Sequence, residues 1–228
     1  MDEGTPFLVA HRGGNDLGAL RRAEALGVRL VEADVRLHRG VPEVLHARRV
    51  RPLPVAWDAG RISSTRDPLL LAEVLAAAAP RTEMLLDLKG RSARLSKRVL
   101  REIEPYAASR RFSVCSRSWT ALEPFAEHPR IRVVYSIGSP AELGAFLLRF
   151  GRSRVAGVSI RESLVDRHVA ERLRGVSDAV LCWTVNSATR ARELAACGVD
   201  GLTTDDVELL RLAVAATRAV PGKLAAAA

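Results

Sequence analysis

Residues 30 to 35 read Leu-Val-Glu-Ala-Asp-Val, a β-rich run that carries two carboxylates at alternate positions. It is one of eight such runs, and most of them are separated by stretches whose apolar residues have helical spacing. Eight β-then-α units within about 210 residues predict a single-domain α/β protein with the (β/α)8 TIM barrel fold. The eight runs lie at 7–10, 30–35, 84–88, 111–115, 131–135, 155–160, 179–185 and 201–204.

The competing α/β architecture is a doubly wound open sheet. That fold requires a glycine-rich G-x-G-x-x-G loop after its first strand, and the corresponding residues here read His11-Arg-Gly-Gly14. Capping residues agree with the barrel, because Ser139-Pro140 is typical of a helix start, and Gly27 and Gly198 are typical of helix ends. A further short strand is predicted at 42–46, directly after the second run.

The domain is expected to span residues 6–218. Residues 219–228 end in Leu-Ala-Ala-Ala-Ala and are interpreted as a disordered tail that resembles an expression-vector remnant. No run reaches the about 18 uncharged apolar residues that a membrane span needs. The first residues, Met-Asp-Glu-Gly, lack the basic start and apolar stretch of a secretory signal, so a cytoplasmic location is expected.

Composition narrows the possible partners. Apolar residues make up 48% of the chain and charged residues 27%, which is typical of a globular protein rather than a disordered one. The formal charge of +9 is spread along the chain, which is usual for a solvated surface and also suits an anionic small molecule. Because no aromatic residues interleave with the basic ones, no nucleic-acid partner is expected. The sequence carries no signal for an oligomeric state.

Three cysteines, Cys115, Cys182 and Cys197, are widely spaced and form no C-x-x-C pair. This spacing suggests neither a zinc site nor a disulfide framework. Each lies in an apolar context, so burial as a small hydrophobic residue is the expected role.

Polar residues follow the first predicted strands at the points where those strands end. In a (β/α)8 barrel these ends meet at the face that carries the active site. Glu32 and Asp34 lie two positions apart and therefore share one face of their strand. The other polar residues at such ends are His11, Arg12, His46, Asp87 and Lys89.

These residue types indicate a metal site beside an acid/base pair. Two carboxylates on one inward face repel each other and lose hydration, and a cation between them relieves both costs. Oxygen ligands suit Mg²⁺ or Ca²⁺ rather than zinc. His11 and His46 together are candidates for proton transfer, because imidazole titrates near neutrality. The structural alternative is a salt-bridged Asp87–Lys89 pair beside ordinary strand-end histidines.

The order of these motifs resembles the glycerophosphodiester phosphodiesterase family, within the phospholipase C-like phosphodiesterase superfamily. The similarity extends from about residue 7 to residue 210, nearly the whole chain. The motifs that carry it are Val9-Ala-His-Arg-Gly-Gly14, Val31-Glu-Ala-Asp-Val35, Leu45-His46, Leu86-Asp-Leu-Lys89, Val114-Cys-Ser116, Cys182-Trp-Thr-Val-Asn186 and the segment from Gly198 to Asp205.

The resemblance implies a TIM-barrel enzyme that hydrolyses glycerophosphodiesters to glycerol 3-phosphate and an alcohol, with one divalent cation, Mg²⁺ or Ca²⁺, as cofactor. It implies general acid and base roles for the two histidines. By the same resemblance, the cation ligands are Glu32, Asp34 and Asp87. The residues that match phosphate-binding or substrate-binding positions are Arg12, Lys89 and Trp183. The alternative for Trp183 is a hydrophobic core residue with no contact to substrate.

The chain departs from the family pattern at several positions. The usual Pro-Glu-Asn loop is shortened so that only Asn15 remains, followed by Asp16, which also fits a helix N-cap. The usual His-Asp pair is His46-Ala47, and a third ligand that is commonly Glu is here Asp87. Because of the shortened loop and Ala47, a catalytically weak barrel that binds a phosphoester stays an alternative function.

The segment at 48–64 is short and contains a basic cluster, Arg48, Arg49 and Arg51. Such a cluster fits a solvated surface or a rim that attracts an anionic head group. A lysophospholipase D-like activity is a further alternative, and an exposed apolar surface beside the site would favour it. The substrate is expected to be a small phosphodiester, and the sequence leaves its alcohol open.

Overall fold

The protein is described by a computed structural model that covers residues 5–50, 53, 55–58, 61–64 and 67–217. Arg51 of the predicted basic cluster and the predicted tail at 219–228 lie outside these residues. Within the described ranges, no helix combines the length and the apolar character needed to cross a membrane.

The order of elements follows the predicted alternation of strands and helices. The strands are β1 (Phe7–Ala10), β2 (Leu30–His38), β3 (Val41–Val44), β4 (Arg48–Val50), β5 (Val55–Asp58), β6 (Arg61–Ser64), β7 (Glu83–Leu88), β8 (Phe112–Ser116), β9 (Ile131–Ile137), β10 (Gly157–Arg161), β11 (Val180–Trp183) and β12 (Gly201–Thr204). The α-helices are α1 (Leu17–Ala25), α2 (Leu71–Ala77), α3 (Ala93–Ile103), α4 (Pro140–Phe150), α5 (Arg167–Val176), α6 (Ala188–Ala196) and α7 (Val207–Thr217).

The chain divides into two compact units. Among the described residues, one unit contains those between His11 and Ser136, and the other contains those up to Ala10 together with those from Ile137 onward. In the first unit the strand order is β9-β8-β7-β2-β3, with β3 antiparallel to β2 and the other neighbours parallel. In the second unit the order is β1-β12-β11-β10, with all neighbours parallel.

Eight parallel strands that alternate with helical segments make the architecture a (β/α)8 barrel, as the sequence predicts. The strands have apolar side chains because they form the core; for example, Val31, Ala33 and Val35 of β2 are fully buried. The prediction of one domain over 6–218 stays a prediction.

Local signals set the helix ends as expected. The Ser139 hydroxyl accepts a hydrogen bond from the Glu142 backbone N–H, so Ser139 is the N-cap of α4, and Pro140 occupies its first turn. Gly27 and Gly198 have φ of 69° and 79°, left-handed values that glycine adopts without the steric cost of a Cβ atom. The predicted helix boundaries at these residues are confirmed.

The structure differs from the sequence-based expectation in two segments. Strands β4, β5 and β6 form a separate three-stranded antiparallel sheet within residues 48–64, where no regular element was predicted. The segment after β8 contains a 3-10 helix, Trp119–Phe125, instead of an α-helix. Pro124 lies inside this segment, and proline lacks the N–H that a continuing α-helix would use.

The cysteine predictions hold for two of the three residues. Cys115 and Cys182 are buried and Cys197 is partly exposed, and all three are free thiols.

Candidate active site

Three carboxylates converge on two neighbouring parallel strands, β2 and β7. Glu32 and Asp34 lie on β2 and point to one face, and Asp34 is in register with Asp87 of β7. One oxygen from each of the three carboxylates can be chosen so that all three lie within 4.8 Å of one another. Glu32 and Asp34 are buried, with relative exposures of 4% and 0%. The structure therefore brings together the three residues that were predicted as cation ligands.

The pKa values of the three carboxyl groups are shifted in different directions. Burial raises the pKa of Glu32 well above its ordinary value, and the negative charges of Asp34 and Asp87 raise it further. Burial also raises the pKa of Asp87. Burial opposes ionisation of Asp34 as well, but the positive charge and hydrogen bond of Lys89 outweigh it and hold the pKa of Asp34 below its usual value. Glu32 is therefore the carboxyl group of the cluster whose ionisation is most disfavoured.

Lys89, directly after β7, supplies positive charge to the other two carboxylates. Its Nζ lies 2.8 Å from Asp34 Oδ1 and donates a hydrogen bond to Asp87. Burial alone would lower the pKa of Lys89, but the charges of Asp87, Asp34 and Glu32 outweigh burial and raise it. Lys89 is therefore a fixed cation at the site.

The loop after β1 is held against β2 by hydrogen bonds to two of the carboxylate residues. The backbone N–H of Arg12 donates to Glu32 Oε2 at 2.6 Å. Asn15 Nδ2 donates to Asp34 Oδ2 at 2.7 Å, and Asn15 Oδ1 accepts from the backbone N–H of Asp34 at 2.8 Å. Asn15 thus fixes both the backbone and the side chain of Asp34.

This loop has an uncommon backbone conformation. Arg12 has φ 53° and ψ 18°, a left-handed conformation that is rare for residues other than glycine. A Cβ atom at Gly14 would lie 2.7 Å from the Cβ of Ala33, so a side chain there would push the loop off β2. Asp16 then caps α1 by accepting a hydrogen bond from the Ala19 N–H at 2.8 Å, which supports its interpretation as an N-cap.

The Arg12 side chain connects the loop to His46. Its Nη2 lies 2.8 Å from His46 Nε2, and because a guanidinium only donates, Nε2 is the acceptor. Arg12 Nε also lies 3.7 Å from Asp34 Oδ2. Ala47 stands where the family pattern has a carboxylate, and the ring of His46 is held by Arg12 instead.

Arg36 is a functional candidate that the sequence analysis missed. Its guanidinium donates to the backbone carbonyl of His46 at 2.8 Å (Nη2) and 3.2 Å (Nε), and to that of Leu45 at 3.1 Å. It also donates to the carbonyl of Lys89 at 3.3 Å. One side chain thus fixes the backbone of both His46 and Lys89. Its position two residues after Asp34, on the same strand face, was the signal that could have identified it.

We expect Arg36→Ala to lower turnover about 10- to 100-fold, the size of effect seen when a supporting hydrogen-bond partner is removed. The reason is that His46 and Lys89 lose the donor that fixes their carbonyls. Arg36→Lys should recover only part of the loss, because an ammonium lacks the planar fork that reaches several carbonyls. Steady-state kinetics should show the loss mainly in kcat. Arg154→Ala removes an exposed arginine paired with Asp178 and should leave turnover unchanged.

The remaining predicted residues are His11 and Trp183. His11 directly precedes Arg12 and is half-buried. Trp183 ends β11 in the other unit, where the guanidinium carbon of Arg161 lies 5.5 Å from its ring centroid. Asn186, in the same matched motif, donates to Asp205 Oδ2 at 2.7 Å.

Cys115 was not predicted to lie near the charged cluster. It is in register with Asp87 between neighbouring strands. Burial raises the pKa of its thiol well above the ordinary value, and the charges of Asp87 and Glu32 raise it further. Cys115 is therefore a neutral, buried thiol beside Asp87 and is not suited to act as a nucleophile.

The donor set fits a hard divalent cation. Three carboxylates with oxygens this close offer the ligand type that Mg²⁺ and Ca²⁺ prefer. Burial and then the charges of Asp34 and Asp87 raise the pKa of Glu32, and a cation bound beside it would offset both effects. The residues that would hold the cation are Glu32, Asp34 and Asp87.

The whole chain is similar to several solved structures. A phosphodiesterase from Oleispira antarctica, in complex with the product sn-glycerol-3-phosphate, is 20% identical with a TM-score of 0.74, covering 92% of this chain and 97% of that chain. A glycerophosphodiester phosphodiesterase from Parabacteroides distasonis is 20% identical with a TM-score of 0.73, and the match covers 95% of this chain and 100% of that chain. A glycerophosphodiester phosphodiesterase from Thermotoga maritima is 20% identical with a TM-score of 0.73, and the match covers 92% of this chain and 99% of that chain.

No model of a known protein family matches the chain, and no curated protein matches it. Likeness at about 20% identity shows the fold.

Proposed function

We propose that this protein is a glycerophosphodiester phosphodiesterase that releases glycerol 3-phosphate and an alcohol. The observation that carries the proposal is the cluster of three carboxylate residues, whose oxygens lie within 4.8 Å of one another, beside the Arg12–His46 pair. The whole-length likeness to structures of that name, one of them holding sn-glycerol-3-phosphate, supports it.

Each residue has a role that follows from its chemistry. Arg12 offers a guanidinium fork that matches two phosphoryl oxygens, and Lys89 offers a second fixed positive charge. A divalent cation held by the carboxylates would neutralise charge that develops on the phosphoryl oxygens. His11 and His46 transfer protons, and Arg36 and Asn15 hold His46 and Asp34 in place.

Two histidines are enough for all the proton transfers of the reaction. The substrate hydroxyl next to the phosphate ester attacks phosphorus, and one histidine accepts its proton as the P–O bond forms. The bond to the departing alcohol breaks, and the other histidine donates a proton to the alkoxide. Water then opens the cyclic phosphate with the two proton roles reversed, which gives glycerol 3-phosphate.

An exposed apolar surface favours a second candidate, a lysophospholipase D-like activity. The three-stranded sheet begins two residues after His46, and Trp57 on β5 is in register with Ile62 on β6. Their relative exposures are 52% and 71%, and Leu53 nearby is 59% exposed. Such side chains offer contact to an acyl chain. Arg49 of the predicted basic rim is instead paired with Glu43.

A substrate panel tests the proposal. Glycerophosphocholine, glycerophosphoethanolamine, glycerophosphoglycerol and lysophosphatidylcholine are incubated with the protein and Mg²⁺ or Ca²⁺, and released glycerol 3-phosphate or choline is measured. We expect at least one glycerophosphodiester to be hydrolysed. Preference for lysophosphatidylcholine would favour the second candidate, and no turnover of any ester by folded protein would favour the phosphoester-binding barrel. The cytoplasmic location and the lack of a nucleic-acid partner stay predictions.

A further inference from the structure

A cavity separate from the candidate active site lies in the unit formed by His11–Ser136, and four of its lining residues are cationic. It has a volume of about 370 Å³ and lies between helix α3 and the β2–β3 hairpin. None of the residues assigned to catalysis above contributes to its wall. The wall consists of Leu37, Gly40, Arg94, Lys97, Arg98 and Arg101.

The four cations lie on one face of α3. Their positions are separated by three, one and three residues, a spacing that places side chains on the same side of an α-helix. The opposite face is fixed in the core, where Leu95, Val99 and Ile103 are buried. The Ser96 hydroxyl also donates to the carbonyl of Ala121 at 2.7 Å. The basic face is therefore presented by a rigid element.

These four positive charges are not balanced by ion pairs. Among the described residues, no carboxylate oxygen lies within 4.0 Å of a side-chain nitrogen of any of the four, whereas exposed Arg154 and partly buried Arg190 are each paired with a carboxylate. Like charges three or four residues apart destabilise a helix. Glu102 on the same helix lies close enough to Arg98 to interact, but burial raises its pKa, which weakens its value as a counter-charge.

We propose that this cavity binds a small anion that carries two or more phosphate charges. Arginine guanidinium groups bind phosphate oxygens in pairs, and Lys97 adds a compact charge. The volume falls within the range of small-ligand pockets, and the Leu37 side chain provides an apolar floor. The same phosphate chemistry can come from a free metabolite or from the head group of an anionic lipid. The proposal does not depend on the proposed catalytic function.

Calorimetric titration with pyrophosphate tests the proposal, using metal-free protein at physiological salt. The test variant is Lys97→Gln/Arg101→Gln, since glutamine keeps helix propensity while removing two charges. The matched control is Arg167→Gln/Arg172→Gln, which removes two exposed arginines from α5. A third variant, Arg12→Gln, removes the phosphate-binding side chain of the catalytic site. If the first variant fails to fold in a thermal melt, Arg94→Gln/Arg98→Gln replaces it.

We expect the α3 variant to bind pyrophosphate at least about tenfold more weakly than the wild type, because charge-assisted hydrogen bonds are lost. The α5 control should bind pyrophosphate as tightly as the wild type, and Arg12→Gln should still show the binding event that the α3 variant loses. Equal affinity in the α3 variant and the α5 control, or loss only in Arg12→Gln, would overturn the proposal.

Vesicle sedimentation identifies the source of the phosphate. Vesicles of phosphatidic acid, whose phosphate monoester carries up to two charges, in phosphatidylcholine are compared with pure phosphatidylcholine vesicles. Sedimentation that needs phosphatidic acid and is lost in the α3 variant supports a lipid head group, and pyrophosphate binding without it supports a free phosphate ester. If the wild type binds neither pyrophosphate nor anionic vesicles, the proposal is wrong.

Discussion

Replacing His46 with alanine should lower turnover by about 10²- to 10⁴-fold, the range expected when a general acid or base is removed. His11→Ala should cause a loss of the same size, because hydrolysis of the diester needs both a proton acceptor and a proton donor. Both side chains are half-buried at strand ends rather than in the core, so the fold should persist in each variant. Steady-state hydrolysis of glycerophosphocholine together with a thermal melt measures both effects.

The choice of leaving group separates the two histidine roles. p-Nitrophenolate departs without protonation, so the variant that lacks the general acid should lose much less of its p-nitrophenolate release from glycerol 3-(p-nitrophenyl phosphate), which keeps the attacking hydroxyl, than of its activity on glycerophosphocholine. The variant that lacks the base should lose activity on both esters. His168→Ala, on the exposed side of α5, is the matched control and should retain full turnover. Near-normal kcat in His11→Ala or His46→Ala would remove that residue from the mechanism.

Replacing Glu32 with glutamine should change stability in opposite directions with and without a cation. In EDTA, Glu32→Gln should raise Tm at neutral pH, because burial and the charges of Asp34 and Asp87 disfavour an ionised Glu32, whereas glutamine needs no proton to stay neutral. With a saturating cation, the wild type should gain about 5–10 °C, as expected for about 2.7 kcal/mol of binding at 100 times Kd. The variant should gain little, since it has lost one of three carboxylate ligands.

The pH dependence of this effect follows from the raised pKa of Glu32. Folded protein keeps a proton on Glu32 that the unfolded chain releases above its ordinary pKa of 4.5. The resulting stabilisation is present below that value and is lost as pH rises through the raised pKa. The metal-free variant should therefore become steadily more stable than the metal-free wild type as pH rises above about 4.5. Asp16→Asn alters an exposed capping carboxylate outside the cluster and should not show this pattern. A wild type whose Tm is unaffected by any divalent cation would contradict the ligand assignment.

The carboxylate cluster could be predicted from the sequence because strand geometry is local. Residues two apart on a strand share a face, so Glu32 and Asp34 had to point the same way. Parallel strands that end at one barrel face then bring Asp87 beside them. The helix ends at Gly27 and Ser139 were also predictable, since capping depends on a few adjacent residues.

Contacts that depend on long side chains could not be predicted. Alternation places Arg36 on the face of Asp34, but which carbonyls its guanidinium reaches depends on how β3 and the chain after β7 pack. The same holds for Arg12 and His46, which lie 34 residues apart. The three-stranded sheet was missed because prolines and glycine in 48–64 are typical of loops.

Metal-restored hydrolysis tests the central claim most directly. The protein is stripped with EDTA, and hydrolysis of bis(p-nitrophenyl) phosphate and glycerophosphocholine is measured before and after addition of Mg²⁺, Ca²⁺ or Mn²⁺. A cation-dependent phosphodiesterase should lose turnover in EDTA and regain it with at least one of these ions, and Glu32→Gln should need more of the ion or fail to recover. Full turnover in the stripped protein, or none with any ion in folded protein, would contradict the account.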